Sequence, residues 1–436
     1  MSSKAKKTGT KEDGKFALVP KVRFPEFREK RGWSETSVGR ISDTVVAGGT
    51  PSTSERTFWG GDIRWMNSGE LNNKRVSEVE GRITREGLKN SSTRIIPPRC
   101  ILIGLAGQGK TRGTVAMNLV ELCTNQSIAA IFPNNGSYDS DFLYHDLDKR
   151  YEELRRLSAG GEGRGGLNLQ IIKSLKVLLP TLAEQQKIAE CLSFADEVIA
   201  AQARKLDALK THKKGLMQQL FPREGETQPR ARFSEFTNEK EWEAKPLSAF
   251  CKIGDIDHKM PPSVADGIPY VMTGDFFGIN GIDFECAKKI SIKDYEQLSK
   301  KIKPEIGDIV IARYASVGAV RYIETNMKFL VSYSCAIIKC NRPDNSKFLY
   351  YFLQSDALQS KIGLEINMSS QKNIGIDSIK KLTILLPNLP EQQKVAGSLA
   401  NLDALITAET QKLEALKTHK RGLLQQLFPS PEDVEG

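Results

Sequence analysis

The stretch LPTLAEQQKIAECLSFADEVIAAQARKLDALKTHKKGLMQQLFP occupies residues 179–222, and a close copy, LPNLPEQQKVAGSLANLDALITAETQKLEALKTHKRGLLQQLFP, occupies residues 386–429. The offset is a constant 207 without a gap, and 27 of the 44 positions are identical. Similarity of this length at a fixed offset indicates an internal repeat of one structural unit. The repeat therefore divides the chain into two similar halves.

Each copy predicts one long α-helix. Thr181 with Glu184, and Asn388 with Glu391, fit the capping-box pattern at the start of the copies. Both copies end at Phe-Pro, where a helix is expected to stop. A helix of roughly 37 residues would be about 55 Å long at ~1.5 Å per residue.

The apolar residues of each predicted helix form a heptad seam. They recur at steps of three, four or seven residues, which places them on one side of a helix. Two matching seams in one chain favour an antiparallel helix pair with pseudo-twofold symmetry; the alternative is that each seam packs on its own globular body. The seam residues are Ile188, Leu192, Ile199, Leu206, Leu209, Leu216 and Leu220 in the first copy, and Val395, Leu399, Leu402, Ile406, Leu413, Leu416, Leu423 and Leu427 in the second.

The repeat continues upstream in weaker form, so each half has a segment near its start, a divergent body and then the long helix. The echoed segments are PKVRFPEF (20–27) and PRARFSEF (229–236), Trp33 and Trp242, GGDIRWMNSGEL (60–71) and ADGIPYVMTGDF (265–276), and FLYHDL (142–147) and FLYYFL (348–353).

The bodies predict mixed α and β structure. Short β-branched runs such as CILIGLAG and SIAAIF in the first half, and DIVIARYA and SCAIIKC in the second, are typical of strands. Helices are expected at about 139–158 and 345–362, and the strand-like runs IIKSLKVLLP and IKKLTILLP lead into the long helices. The predicted fold class is α+β, with two pseudo-symmetric bodies and two long helices.

The domain boundaries follow from the repeat and from the Pro- and Gly-containing joint PREGETQP (222–229). We expect a disordered basic tail at 1–19, a first body at 20–180, a central helix at 181–222, a second body at 223–387, a C-terminal helix at 388–429 and a tail at 430–436.

The segment GLAGQGKT (104–111) matches the P-loop pattern G-x-x-x-x-G-K-[ST] at every defined position. A working P-loop needs a helix directly after Lys-Thr, because the helix N-terminus binds the phosphates. The following residues, RGTVAMNLV, are strand-like instead. The sequence therefore favours a β-hairpin loop that carries Lys110 and Arg112 over a nucleotide site.

The formal net charge of +10 is unevenly distributed, since residues 1–31 hold ten Lys/Arg against four Asp/Glu. Charge alone makes a polyanionic partner plausible without establishing one. No apolar run approaches ~18 residues, so no transmembrane helix is predicted, and the N-terminus has no apolar signal region.

Motifs for common chemistry are missing from the sequence. The seven cysteines lack C-x-x-C spacing, and only four histidines accompany them, so we expect reduced thiols and no metal site. The [DNS]-P-P-[YFW] motif of base-amino methyltransferases, G-x-S-x-G and H-E-x-x-H are all absent from the sequence. The chain is therefore not expected to be an enzyme.

Over nearly its whole length the sequence resembles the specificity (S) subunits of type I restriction–modification systems. The resemblance rests on the twin LPxLxEQQK…LDALKTHK…QQLFP units and on AGGTPS (47–52) followed by FWGGDIRWMNSGEL (58–71). GLNL (166–169) and KNIG (372–375), ahead of the predicted pre-helix strands, also fit.

The resemblance implies that the bodies at 20–180 and 223–387 are target-recognition domains, each of which reads half of a split double-stranded DNA target. The two helices would form an antiparallel coiled-coil spacer and would dock two modification (methyltransferase) subunits, through which restriction (translocase and nuclease) subunits join. The chain would bind no cofactor itself, since S-adenosylmethionine, ATP and magnesium belong to the partners. The expected location is the prokaryotic cytoplasm.

Base and phosphate contacts require polar and basic side chains on loops. No metal or catalytic residue is predicted. The candidate DNA-binding residues are Thr50, Ser52, Arg64, Asn67, Lys110, Thr111, Arg112 and Arg164 in the first body, and His258, Lys259, Arg313, Tyr314, Ser316, Arg321, Gln371 and Lys372 in the second.

Two other functions stay open at this point. One is a P-loop NTPase that uses residues 104–111, and the other is a coiled-coil scaffold that reads no sequence. AGGTPS also has a plainer interpretation, as a turn in which Gly-Gly supplies φ freedom and Pro51 stiffness.

Overall fold

The computed structural model describes residues 19–107, 111–158, 166–342, 345–368 and 373–429. Four predicted site residues, Lys110, Arg164, Gln371 and Lys372, lie outside these ranges. The chain divides into two compact units. The first comprises Met1–Gln202 with Leu413–Gly436, and the second comprises Ala203–Lys412.

The first half of the chain alternates short strands with short helices before one long helix. Its elements are β1 (Ser34–Ser37), α1 (Val38–Ile41), β2 (Val45–Ala47), β3 (Trp59–Met66), β4 (Arg75–Val76), β5 (Arg82–Ile83), α2 (Arg85–Lys89), β6 (Ile101–Gly104), β7 (Val115–Asn118), β8 (Cys123–Thr124), β9 (Ile128–Ile131), α3 (Ser140–Lys149), α4 (Tyr151–Leu157), α5 (Leu169–Ser174), β10 (Lys176–Leu179) and α6 (Leu182–Leu220).

The second half follows a similar order, with a 3-10 turn in place of α1 and a hairpin of two short strands in place of β4. Its elements are β11 (Glu243–Pro246), β12 (Cys251–Gly254), β13 (Ile268–Val271), β14 (Phe276–Phe277), β15 (Gly281–Ile282), β16 (Lys288–Ile290), α7 (Ile292–Leu298), β17 (Ile309–Ala312), β18 (Val320–Tyr322), β19 (Leu330–Val331), β20 (Cys335–Cys340), α8 (Ser346–Leu353), α9 (Asp356–Met368), α10 (Ile376–Lys381), β21 (Thr383–Leu386) and α11 (Leu389–Leu427).

The sheets of the two units correspond apart from β4, the fifth strand of the first unit's main sheet, where the second unit has the separate β14–β15 hairpin. The first unit has a main sheet in the order β2-β9-β6-β7-β4 and a smaller sheet β5-β3-β8. The second unit has the main sheet β12-β20-β17-β18 and the smaller sheet β16-β13-β19. In each unit the first strand of the body pairs antiparallel with the strand before the long helix, as β1 with β10 and β11 with β21. The predicted α+β body is therefore present in both halves.

The strands predicted just before the long helices are shorter than expected. Within the run IIKSLKVLLP, the residues IIKS form the end of α5 and only Lys176–Leu179 form a strand. Within the run IKKLTILLP, the residues IKK form the end of α10. In the first unit the cause is a cap: the Asn168 side chain accepts a hydrogen bond of 2.9 Å from the Ile171 N–H, which starts a helix at this point.

The two repeated segments are helices of 39 residues each, and within each unit their segments run antiparallel. In the second unit Lys205 lies 2.5 Å from Glu409, and further along α6, Lys213 lies 2.6 Å from Asp403 on an earlier part of α11. In the first unit Lys420 lies 2.5 Å from Asp196. Ion pairs between complementary positions thus accompany the apolar seam.

The predicted seam residues are all buried or half-buried. Those near the ends of the helices join the cores of the bodies. Ile188, Leu192 and Leu427 belong to the first unit's core, and Leu220 and Val395 belong to the second's. The two packing modes considered for the seam therefore both occur, in different parts of the helices.

The Leu-Phe-Pro that ends each long helix closes a core. The Phe428 ring lies 5.9 Å from Trp33 and 5.1 Å from Phe142 in the first unit. In the second unit Phe221 lies 5.7 Å from Phe348, against which Trp242 also packs. Aromatic groups of this size contribute strongly to core stability.

A buried ion pair joins the start of the first body to α6. The Arg23 Nε and Nη2 atoms donate to the two carboxylate oxygens of Glu184 at 2.7 and 2.6 Å, and the Trp33 indole donates to the same carboxylate at 3.3 Å. Arg23 also donates to the backbone carbonyls of Lys30 and Arg31 at 2.8 and 2.9 Å. The Glu184 side chain is fully buried, and Arg23 is 5% exposed.

The second unit has the same arrangement at the equivalent positions. Arg232 pairs with Glu391 at 2.9 and 2.6 Å, and the Trp242 indole donates to Glu391 at 3.3 Å. These contacts explain why PKVRFPEF, the tryptophan and LPxLxEQQK recur together. We name the Arg23–Glu184–Trp33 and Arg232–Glu391–Trp242 groups the anchors.

The anchors correct the predicted capping boxes. Asn388 does cap α11, since its side chain accepts a 2.9 Å hydrogen bond from the Glu391 N–H. The carboxylates of Glu184 and Glu391, however, are occupied by the arginine and tryptophan of the anchors. The neighbouring glutamines complete the motif by donating to the carbonyls of Pro180 and Pro387 at 2.9 and 2.8 Å.

A buried histidine lies beside the Lys420–Asp196 pair of the first unit. His145 is 1% exposed, and its Nε2 lies 3.3 Å from the Ser193 hydroxyl. Burial, followed by the positive charges of Lys420 and Arg75, lowers the pKa of His145 to about 3 from its ordinary 6.5. The matching residue of the second unit is Tyr351, whose hydroxyl donates to Asp403 at 2.9 Å.

Glu184→Gln should destabilise the first unit by about 3 kcal/mol or more, because the substitution leaves Arg23 buried without its counter-charge. Glu391→Gln is the matched variant for the second unit. Local hydrogen exchange resolves the two units. We expect faster exchange in the strands of the altered unit; unchanged exchange in both variants would contradict the anchoring role.

Acid should destabilise the first unit through His145. Below pH 6.5 the unfolded chain binds a proton at this histidine and the folded unit does not, so stability is lost as the pH falls from 6.5 toward 3. His145→Tyr, which introduces the second unit's residue, should remove about 2 kcal/mol of the loss between pH 6.5 and 5. Urea unfolding at both pH values measures this difference, and equal pH dependence in both proteins would refute it.

Candidate functional site

The register of the first unit's main sheet gathers several loops at one edge. Ala47, the last residue of β2, pairs with Ala129 near the start of β9, and Gly104, the last residue of β6, pairs with Ile128. The end of β6 also pairs with the start of β7. The loops after β2 and β6 and before β9 therefore emerge together, because antiparallel neighbours place one strand's end beside the other's start.

We name these loops the first loop edge, comprising residues 48–57, 105–107, 111–114, 125–127 and 166–168. Backbone hydrogen bonds tie them to one another. Leu105 N–H donates to the Ser127 carbonyl at 2.8 Å, and Leu167 N–H donates to the Leu105 carbonyl at 3.1 Å. The edge is thus one surface built from four loops, of which the β6–β7 loop contributes both 105–107 and 111–114.

AGGTPS lies on this edge, and its glycines have a steric role. Neither Gly48 nor Gly49 has positive φ, so the interpretation based on φ freedom is wrong. A Cβ on Gly48 would lie 2.1 Å from the Thr124 carbonyl oxygen, and one on Gly49 would lie 2.2 Å from the Ser92 hydroxyl. Glycine is required because the loop packs directly on neighbouring backbone.

Two of the predicted residues in this loop have polar partners on the edge. The Thr50 hydroxyl donates to the side chain of Gln126, a residue that the sequence interpretation missed. Ser52 is exposed, lies 2.7 Å from Ser54 between hydroxyl oxygens, and its carbonyl accepts from the Trp59 indole at 3.0 Å. Gln126 lies in a polar turn before a buried strand. It comes next to Thr50 because both residues lie on the first loop edge.

The segment with the P-loop pattern connects two antiparallel strands, as predicted. β6 ends at Gly104 and β7 begins at Val115, so a strand follows Thr111 where a P-loop requires a helix. Gly113 N–H donates to the Gly104 carbonyl at 2.9 Å and closes the base of the hairpin. Arg112 is half-buried, and within the described ranges its Nε has no hydrogen-bond partner.

Arg64 lies in β3 of the smaller sheet, Asn67 follows directly after this strand, and both have internal partners. Arg64 lies 3.5 Å from Glu78. The Asn67 side chain accepts from the Gly69 N–H at 2.8 Å and caps a 3-10 turn that Glu70 completes. These contacts hold the two side chains in place at the protein surface.

The second unit has an equivalent surface at the matching edge of its main sheet. Gly254 of β12 pairs with Ile337, and Ala312 of β17 pairs with Cys335 at the start of β20. We name residues 255–260, 313–319, 332–334 and 373–375 the second loop edge. Ile374 N–H donates to the Arg313 carbonyl at 3.1 Å, which repeats the Leu167–Leu105 contact of the first unit.

Four predicted residues of the second body remain on this surface. His258 and Lys259 are exposed, and Lys259 lies 3.2 Å from Asp294. Tyr314 is half-buried and Ser316 is exposed. They occupy two loops that the sheet places side by side, although 55 residues or more separate them in sequence.

The two arginines predicted as DNA contacts in this body are buried instead. Arg313 is 6% exposed and pairs with Asp255. Arg321 is 8% exposed and donates to the Gly281 carbonyl at 2.9 Å, which holds the β14–β15 hairpin. Their guanidinium groups are satisfied inside the protein, so direct contact with DNA is not available to them in this conformation.

Both loop edges carry hydroxyl, amide and basic groups on rigid sheets, and the second also carries the imidazole of His258. Within the described ranges, no group of three or more His, Cys, Asp or Glu is placed to hold a metal ion. None of the described helices combines the length and the apolar character that crossing a bilayer requires. Two similar bodies with polar loops define a protein built for recognition.

The comparison with known families agrees with this conclusion. The type I restriction modification DNA specificity domain matches twice, at residues 30–211 and 239–418. The chain therefore belongs to the family of type I restriction–modification specificity subunits, the non-catalytic recognition components of these systems. The resemblance predicted from the repeated motifs is confirmed.

Relatives and solved structures share this layout. The chain is 25% identical over 435 residues to the type I restriction enzyme MjaIX specificity subunit of Methanocaldococcus jannaschii, covering 92% of this chain and 96% of that protein. It is 29% identical to the EcoR124I/EcoR124II specificity subunit of Escherichia coli over 152 residues, which is 34% of this chain and 37% of that protein.

Among solved structures, the type I S subunit from M. genitalium superimposes with a TM-score of 0.61 at 16% identity, covering 95% of this chain and all of that one. A chain from a structural study of complex assembly and conformational transition of the type I R-M system superimposes with a TM-score of 0.54 at 17% identity, covering 92% of this chain and 98% of that one. These likenesses support the fold, and the predicted combination of α+β bodies with antiparallel long helices is confirmed.

Proposed function

We propose that this specificity subunit reads a bipartite double-stranded DNA target, with one half-site contacted by each loop edge. The observation that carries the proposal is the contrast between framework and loops. The anchors make the same contacts in both units and four strands of the main sheet have the same order, while the residues on the two loop edges differ. A duplicated support with different polar loops suits the recognition of two different half-sites.

The polar groups on the edges match the two parts of DNA recognition. Thr50, Ser52, His258 and Ser316 can exchange hydrogen bonds with base edges. Arg112, whose Nε has no hydrogen-bond partner among the described residues, suits a phosphate. Lys110, Thr111, Arg164, Gln371 and Lys372 remain proposed contacts of the same kind, as do Arg64, Asn67, Lys259 and Tyr314.

We further propose that the long helices dock two modification subunits, one on each copy of the repeat. The supporting observation is an exposed stripe that is identical in both copies. Its members are Ala201, Lys205, Ala208, His212 and Gln219 on α6, and Ala408, Lys412, Ala415, His419 and Gln426 on α11, all of them exposed.

The stripe has the spacing of a helix-packing surface. Its steps of four, three, four and seven residues keep the members on one side of the helix. Identity at buried positions follows from the shared core, but identity at exposed positions needs another reason. A common partner that binds twice provides that reason. Restriction subunits would join through the modification subunits, and the partners would supply S-adenosylmethionine, ATP and magnesium.

Replacing residues 40–178 by the corresponding body of another specificity subunit should change one half of the methylated motif. The exchange leaves the Arg23–Glu184 pair and both long helices intact. The chimera is expressed with the cognate modification subunit, and methylation is mapped across the host genome. We expect the other half-site and its methylated base to stay as in the parent protein.

Three results would contradict the proposed function or part of it. A motif that changes in both halves would contradict the assignment of one half-site to each body. Methylation without any sequence preference would support a scaffold that reads no DNA. ATP hydrolysis by the purified chain, lost on Lys110→Ala, would support the NTPase alternative, which the β6–β7 hairpin disfavours.

Ala208→Glu and Ala415→Glu test the docking stripe. A bulky charged side chain in the middle of either stripe should block one modification subunit, so each variant is expected to bind one subunit and the double variant none. Analytical ultracentrifugation with the modification subunit measures the ratio. Ala200→Glu is the matched control, since Ala200 is exposed but lies about 100° around the helix from Ala201. Full binding by the double variant would refute the stripe.

A further inference from the structure

The second loop edge is organised around one buried carboxylate. Asp255, the first residue after β12, is 7% exposed. Its oxygens accept from Arg313, from His258 Nε2 at 3.2 Å and from Lys301 Nζ at 3.3 Å. Burial alone would raise the pKa of Asp255, but the charge of Arg313 and the contacts with His258 and Lys301 outweigh it and hold the pKa below its usual value.

Arg313 connects this carboxylate to the other loops of the edge. Its Nε donates to the Ile374 carbonyl at 3.1 Å and its Nη1 donates to the Tyr333 carbonyl at 3.3 Å. Its own backbone N–H donates to the Ser334 carbonyl at 2.8 Å. The Asp255–Arg313 pair therefore fixes the relative positions of all four segments of the second loop edge.

His258 is the side chain that this pair presents to solvent. Its side chain is 59% exposed, and its ring stacks on Tyr333 with a centroid distance of 4.9 Å and an interplanar angle of 20°. Stacking and the contact with Asp255 restrain the imidazole in two independent directions. The imidazole ring is thus held rigidly, while its other face remains exposed to solvent.

The contact with Asp255 also determines which ring nitrogen carries the proton. An ionised carboxylate only accepts hydrogen bonds, so the Nε2 that faces it is the donor. In the neutral ring Nδ1 is then a lone-pair acceptor. Among the described residues no group bonds to Nδ1. The acceptor is therefore available to a ligand.

The first loop edge has a different construction at the same positions. Gly48 follows β2 where Asp255 follows β12, and Leu105 follows β6 where Arg313 follows β17. Leu105 and Arg313 nevertheless make the same backbone hydrogen bond, to Ser127 and Ser334. The Asp–Arg–His arrangement is therefore not part of the shared framework, and its purpose is specific to the second body.

A fixed acceptor on a DNA-facing edge has a restricted set of base partners. In the major groove the exocyclic amino groups of adenine (N6) and cytosine (N4) are donors, whereas guanine O6 and N7 and thymine O4 are acceptors. Resting on the proposed reading function, we propose that His258 is a specificity-determining residue of the second body, which accepts a hydrogen bond at Nδ1 from the amino group of an adenine or cytosine. Asp255, Arg313 and Tyr333 are its positioning residues.

The test uses the full chain in complex with its modification subunit and genome-wide methylation mapping. His258→Ala should relax one position of the second half-site, with discrimination at that position falling about tenfold or more, while the first half-site stays intact. His258→Asn, whose Oδ1 can replace the Nδ1 acceptor, should restore part of the preference for a base with an amino group. Glu296→Ala, an exposed change on α7 of the same body, is the control.

The positioning residues have a different expected signature. Asp255→Asn should weaken discrimination at several positions of the second half-site, because it loosens the whole edge, and Arg313→Lys should do so to a smaller extent. Retained reading of the first half-site shows in each case that the variant is folded and assembled.

Unchanged discrimination in His258→Ala, with a normal bipartite motif in the parent protein, would overturn this inference and leave the proposed function standing. Absence of any bipartite motif in the parent protein would instead refute the proposed function.

Discussion

The buried pairing of an arginine with the first-turn glutamate of a long helix is the contact on which each unit depends. Arg23 and Glu184 are distant in sequence, and so are Arg232 and Glu391, yet both pairs have the same bidentate geometry with a tryptophan indole on the same carboxylate. Breaking such a pair costs more than its formation contributes, since the remaining charge stays buried. The anchor therefore specifies one relative arrangement of body and helix, and everything else in the unit is built on it.

Rigid support allows the loops to vary. In both units the loop edges emerge from buried strands whose register is fixed by several hydrogen-bonded neighbours, so a change of loop residue need not disturb the sheet. The two bodies use this freedom differently. The first fixes its edge by close backbone packing at Gly48, which no side chain can replace. The second fixes its edge by a charged pair, Asp255 with Arg313, and can therefore orient an imidazole.

The sequence was sufficient to predict the fold, because the internal repeat shows which segments occur in both halves and which differ. The strands and helices that recur in both halves follow from this comparison. The anchors do not, because the capping-box pattern predicts another role for Glu184 and Glu391 than binding Arg23 and Arg232. The site was harder to predict. Charge and residue type suggested Arg313 and Arg321 as contacts, but only the fold shows that an acidic residue and backbone carbonyls already occupy them. The sequence did not predict Gln126 and Asp255, because the residues that they bind are remote in sequence and come close only at a sheet edge.

The placement of Phe428 in the core of the first unit has a consequence for biosynthesis. The ribosome completes the strands of the first body early, but the aromatic group that seals their core against Trp33 is added only after the whole second unit has been synthesised. The second unit has no such delay, because Phe221 precedes its body. The nascent first body must therefore persist with an open apolar surface during translation, when it is most exposed to chaperones and aggregation. The first body is therefore synthesised first, but its core is completed last.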